Sequence, residues 1–136
     1  MAIELANAQT SQHTVTQGKR LVLKIYQRFT FDAAHRLPDW PDLHGHSYTV
    51  ELWFEGPTVE GYVIPAKDLA NIAATIKQKL DHRFLNDIIP IPTSENIALF
   101  IWDQLADRET RKKVVVYRES CGMGVEYSGE IDPGFA

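Results

Sequence analysis

The chain has 136 residues, 44% apolar and 24% charged, a balance that suits one folded domain with a buried core. A net charge of -4 argues against sequence-independent binding to nucleic acid, which needs clustered Lys and Arg. The lone cysteine, Cys121, excludes an internal disulfide framework and a multi-thiolate zinc site. No window reaches the ~18 to 20 continuous apolar residues of a membrane span, and the polar start lacks the apolar centre of a secretion signal, so the expected setting is cytoplasmic.

Residues 1–18 are polar and without period, which predicts a mobile arm carrying a solvated His13. From Leu21 the pattern becomes that of a strand. Leu23, Ile25, Phe29, Phe31 and Ala33 alternate with Val22, Lys24, Arg28, Thr30 and Asp32, and Gln27 is the one break in the apolar face. The stretch "RLPDWPDL", residues 36–43, reads as a loop. After it Tyr48, Val50, Leu52 and Phe54 alternate with Ser47, Thr49, Glu51 and Trp53, so an antiparallel hairpin is expected. Beyond Gly56, Pro57 and Gly61, the positions of Leu69, Ile72, Ala73, Ile76 and Leu80 predict an amphipathic helix ending near Asp81 and His82. Pro65 should stiffen its entrance. Thr93, with Glu95 in the first turn, opens a second helix whose buried line is Ile97, Ile101 and Leu105. "KVVVYRES" and "GMGVEYSG" read as two short strands joined by a glycine-containing turn. The domain is thus bounded at residues 19–130, with a tail over 131–136.

Strand alternation places His44 and His46 on the face that continues into Tyr48 and Val50, and it carries the odd-numbered face of the first strand to His35. Three imidazoles can therefore converge at one end of the hairpin. Three such ligands suit zinc and leave a fourth position for water or substrate, the mark of a reactive rather than a structural site. Gly45 between two of them would let another group approach closely. The run from His44 to Glu51 partly resembles the cupin motif, but Glu51 has the opposite parity and two long helices are foreign to a jelly roll.

The pieces "FDAAHRL", "HGHSYTVEL", "LDHRFLND", "PTSENIALFIW" and "VVVYRES", in this order, resemble the 6-pyruvoyl-tetrahydropterin synthase and 6-carboxy-tetrahydropterin synthase family. The resemblance implies an α+β tunnelling fold (T-fold), an antiparallel β-β-α-α-β-β sheet backed by two helices, closed into a barrel by oligomerisation as a homohexamer of two trimeric rings. It implies zinc on His35, His44 and His46, a pterin anchored by Glu119, and a pocket lined in part by Thr93 and Glu95. A carboxylate can accept two hydrogen bonds from the ring N–H and the exocyclic amine of a pterin. Asp81 and His82 correspond to the family's proton-relay pair.

The sequence departs from the family where a cysteine stands four residues before the first histidine of H-G-H: that position is Trp40. Asp39, Asp42 and Cys121 are the candidates to take its place, Cys121 because it shares strand parity with Glu119. Pro65 and Ala66 replace the usual Asp and Phe. The expected activity is that of a zinc-dependent lyase acting on the C6 side chain of a dihydropterin by elimination or by carbon-carbon cleavage. Two alternatives remain open at this point: a non-catalytic zinc-containing pterin- or purine-binding protein, and a zinc-water hydrolase of a purine-like substrate.

Overall fold

The structure, a computed structural model, describes residues 15–16, 19–105 and 110–135. Most of the arm expected over residues 1–18, including His13, lies outside the described residues. At its end β1 (Val15–Thr16) and β2 (Lys19–Arg20) pair as a short antiparallel ladder.

The main sheet is built on one long hairpin. β3 (Val22–Leu37) pairs with β4 (Trp40–Pro57) without interruption from Val22 opposite Pro57 to His35 opposite His44. The loop expected over residues 36–43 is a correction. The register shifts once between His35 and Leu37, Leu37 pairs with Trp40, and only Pro38 and Asp39 form the turn. Pro with Asp is good turn chemistry. Pro41 makes the following residues look like loop, but β4 meets β5 only from Tyr48 onward. Near Pro41 it has a strand on one side only, where a missing N–H is tolerated.

β5 (Arg111–Arg118) and β6 (Met123–Tyr127) complete the antiparallel order β3-β4-β5-β6. The strand expected to run through Glu119 and Ser120 stops at Arg118. Glu119–Cys121 form a single 3-10 turn that ends on Gly122 at φ 64, a left-handed conformation that glycine adopts without a Cβ penalty. Strand parity therefore does not reach Cys121, which is exposed, its thiol 3.7 Å from the Arg118 carbonyl.

One sheet face buries Phe31, Tyr48, Val50, Leu52, Phe54, Val114 and Val116. α1 (Ala66–Leu80) covers it beside β3 with Leu69, Ala73, Ile76 and Leu80, and α2 (Ser94–Gln104) covers it beside β5 and β6 with Ile97, Ala98 and Ile101. Each of the large apolar residues among these contributes about 1.5–3 kcal/mol when fully buried. Asp68 in the first turn of α1 and Lys77 and Lys79 in its last complement the helix dipole. The opposite face carries Arg28, Thr49, Glu51 and Trp53, as their alternation requires.

Candidate metal centre

The turn end of the hairpin holds the three histidines on the helix-covered face. His35 lies opposite His44, and His46 lies opposite Ala33. One ring nitrogen from each falls within 4.8 Å of the other two. What each ring does with its other nitrogen fixes the chemistry. His35 Nδ1 contacts the Pro92 carbonyl at 2.9 Å and His44 Nδ1 the Asp42 carbonyl at 2.8 Å. A carbonyl can only accept, so in both rings Nδ1 carries the proton and Nε2 the lone pair. His46 Nδ1 meets Ser120 Oγ at 3.3 Å. All three Nε2 atoms are buried without a hydrogen-bond partner.

Three unpartnered ring nitrogens facing one another, two of them fixed as lone pairs by the carbonyl contacts, are unfavourable in a core and suit a metal ion. The residues fit zinc: three imidazoles, each meeting an outer partner through its other nitrogen. Burial lowers the His35 pKa, partly offset by the bond to Pro92. Burial and then the Arg118 charge take His46 down to about 4. Both shifts keep the rings in the neutral form that binds metal.

Local backbone explains the H-G-H spacing. A Cβ on Gly45 would sit 3.1 Å from the Ala33 carbonyl oxygen, so the bare glycine lets β3 and β4 close where the ligands converge. Trp40 stacks flat on His44, with centroids 3.6 Å apart and planes 15° apart. Asp39 and Asp42 are exposed, and Asp42 reaches the centre only through its backbone carbonyl.

Asp81 and His82 meet each other, with His82 Nε2 3.7 Å from Asp81 Oδ1. They form a separate group with Asp32 rather than joining the histidines. Asp81 Oδ1 accepts from the Asp32 amide at 3.0 Å, and the His82 amide donates to the Asp32 carbonyl at 2.7 Å. His82 has φ 59 and its side chain is 79% exposed. The pair thus sits at the open edge of β3, on the strand whose turn end carries His35.

Thr93 caps α2, its hydroxyl accepting from the Asn96 amide at 3.1 Å. The preceding residue, Pro92, is the one that orients His35, so the start of α2 is tied to the metal centre. Glu95 is exposed in the first turn. Glu119 accepts from the Thr49 hydroxyl, which belongs to the face opposite the histidines.

Two residues near the centre escape a reading of the sequence. Tyr48 follows His46 on the same face, is fully buried, and its hydroxyl has no partner. Burial pushes its pKa up to about 12. Arg118 pairs with Tyr48 across the sheet, and its Nε is buried and unpartnered. The available signal is Arg118 itself, a cation at the end of the apolar line Val114, Val116.

Residues 24–130 match the family described as 6-pyruvoyl tetrahydropterin synthase. A dihydroneopterin monophosphate aldolase from Pyrococcus furiosus is 36% identical over 111 residues, covering 80% of this chain and 96% of the relative. The human 6-pyruvoyl tetrahydrobiopterin synthase is 28% identical over 142 residues, 74% of this chain and 94% of that protein. Among solved structures, 6-pyruvoyl tetrahydropterin synthase from Caenorhabditis elegans superposes with a TM-score of 0.70 at 20% identity, over 81% of this chain and 97% of that one. This last likeness shows the shared fold, the expected tunnelling fold.

Proposed function

Because the chain belongs to the 6-pyruvoyl tetrahydropterin synthase family, whose members include pterin lyases, we propose that it cleaves a carbon-carbon bond in the C6 side chain of a dihydropterin, at a zinc centre held by His35, His44 and His46. The observation that carries the choice of cleavage over elimination is Trp40. The position of the family's thiol holds an indole packed on His44, and the protein's lone cysteine is exposed in the turn after β5. Elimination needs a base to remove a proton from a carbon of the side chain, and loss of such a base typically costs ~100- to 10,000-fold. Cleavage starts instead from an O–H proton, which is far more acidic. The aldolase name carried by the Pyrococcus furiosus relative supports the same choice.

In this reading the proton leaves the hydroxyl on the second carbon of the side chain, that oxygen becomes an aldehyde carbonyl, and the bond between the first and second carbons breaks. The electron pair moves into the C6–N5 unit of the dihydropterin ring and is quenched by a proton at the first carbon. A zinc ion bound to the three imidazoles supplies Lewis acidity toward the side-chain oxygens. Asp81 and His82 carry the protons, the carboxylate orienting the imidazole. Glu119 lies on the face opposite the histidines and accepts from the Thr49 hydroxyl; leaving that contact, or acting from a neighbouring subunit, it anchors the pterin edge through paired hydrogen bonds, with Thr93 and Glu95 at the pocket wall.

Within one subunit the proton-relay pair does not join the triad's nitrogens, and His82 meets His46 only across an open groove shared with Asp32, Gly45 and Phe84; this supports a site that a neighbouring subunit closes. The sheet has two edge strands, β3 and β6, and joining them across copies would close the barrel of a cytoplasmic homohexamer and remove the exposed edges.

The test is product analysis. Zinc-loaded protein given dihydroneopterin should release glycolaldehyde and a dihydropterin with a hydroxymethyl group at C6, and lose this activity on chelation. Saturable binding without product, or an eliminated side chain, would overturn the reading. Metal analysis should find one zinc per subunit; another metal would redirect the chemistry, since imidazole also suits iron, nickel and copper.

A further inference from the structure

We infer that Thr49 is a positioning residue for ligand recognition: its hydroxyl holds the Glu119 carboxylate ready for a heterocycle that presents two adjacent N–H donors, and keeps hold of it while the ligand is bound. That Glu119 is the anchor rests on the proposed function; the part played by Thr49 is a separate claim. Thr49 is buried in the middle of β4, opposite Thr30 on one side and Tyr117 on the other. Its hydroxyl donates to Glu119 Oε1. A β-branched side chain in a paired strand has little rotamer freedom, so the donor stands on a fixed base.

Glu119 is the movable partner. It is exposed and opens the 3-10 turn Glu119–Cys121 at the end of β5. A free glutamate samples many rotamers, and ordering it when a ligand binds lowers affinity. A bond to a rigid hydroxyl orders the carboxylate beforehand. That bond occupies one lone pair of Oε1 and leaves Oε2 and the rest of Oε1 able to accept two parallel N–H bonds.

No cation answers this carboxylate. Among the described residues Glu119 makes no ion pair, and the Thr49 hydroxyl is its side-chain partner. Glu51, the next residue on the same face of β4, is the contrast: Arg28 gives it two bonds and the Trp53 indole a third. Glu51 is thus saturated by the fold, whereas Glu119 is steadied by one neutral donor and left open to solvent. A carboxylate kept in that state suits donors that come from a ligand. Because Thr49 belongs to the face opposite the histidines, a ring held this way lies away from the triad of the same subunit, which fits a site that a neighbouring subunit completes.

The test follows the binding of neopterin, and of its 2-oxo analogue that lacks the exocyclic amine, to zinc-loaded protein by fluorescence. Thr49→Val keeps the shape and removes the hydroxyl. It should weaken neopterin roughly tenfold, as loss of a bond to a charged group does, while Thr49→Ser stays within about twofold of wild type. The analogue, which cannot use both carboxylate oxygens, should change by less than about twofold, and in a Glu119→Gln background the valine change should add nothing for neopterin, because the two residues act as a unit. Tighter binding by Thr49→Val would mean that Glu119 has to leave the hydroxyl to reach the ligand, and would overturn the inference. Unchanged binding overturns it too, as does an equal loss for the analogue or in the Glu119→Gln background. If Glu119→Gln itself binds neopterin as wild type does, the anchor fails first and the inference falls with it. If wild type binds no pterin, the proposed function fails and guanosine, whose ring presents the same pair of donors, becomes the probe. Guanosine binding that Thr49→Val weakens and Thr49→Ser restores upholds the inference, and silence from guanosine removes it.

Discussion

The indole of Trp40 lies flat on the imidazole of His44, 3.6 Å away and within 15° of parallel, while Nδ1 of the same ring is held by the Asp42 carbonyl at 2.8 Å. His44 is half-buried and near a tight turn, so without these two contacts its ring could rotate away from the lone pairs of His35 and His46. Trp40 thus holds the His44 ring in place, which makes it a positioning residue for the proposed metal centre.

Trp40→Ala should then lower zinc affinity by roughly 10- to 100-fold, the usual effect of removing an outer-shell partner, whereas Trp40→Phe, which preserves a flat ring, should stay within a few-fold of wild type. Competition against a chromogenic chelator measures both. An alanine variant that holds zinc as tightly as wild type would show that the stacking is incidental.

Much of this arrangement is legible in the sequence because it depends on period. Alternation alone carries His35, His44 and His46 to one face, and helical spacing finds α1 and α2 with their buried lines. Period fails where the backbone leaves it. Cys121 is misplaced by parity because a 3-10 turn interrupts the strand at Glu119, and Trp40 resembles loop because the prolines on either side of it mask a continuing strand. Contacts made through backbone carbonyls are invisible in any pattern of residue types, so the roles of Pro92 and Asp42 in fixing two tautomers emerge only from coordinates. Asp32 is hidden for the same reason: its backbone, through both N–H and C=O, anchors Asp81 and His82.

Thr93 separates capping from substrate contact. Its hydroxyl accepts from the Asn96 amide, one of the four donors that a helix start leaves open. Thr93→Ala should destabilise the protein by about 0.5–2 kcal/mol and Thr93→Ser much less, read from urea midpoints. The neighbouring Pro92 carbonyl orients His35, so the alanine variant should also bind zinc less tightly, and serine should restore both properties together. A variant of unchanged stability that lost only pterin binding would instead place Thr93 in the pocket wall alone.

Glu51 should give the fold an acid limit on the face away from the three histidines. Its carboxylate accepts from Arg28 at 2.6 and 3.0 Å and from the Trp53 indole at 2.9 Å, while Tyr26 stacks on Trp53 and Lys113 lies over it. Burial alone would raise the Glu51 pKa, but the bonds from Trp53 and Arg28 and the charges of Arg28 and Lys113 outweigh it and hold the carboxyl below its ordinary value. A depressed pKa means that the folded state binds the proton less readily than the unfolded one. The resulting stabilisation is complete above the unfolded value of about 4.3 and is lost as pH falls through the lower, folded one. Arg28 is largely exposed, so solvent screens its share and added salt should reduce the effect. Urea midpoints taken from about pH 6 down to about pH 3 should therefore fall more steeply for wild type than for Glu51→Gln, which cannot titrate there, and the gap should narrow in high salt. Parallel curves at low salt would mean that another carboxylate sets the acid limit.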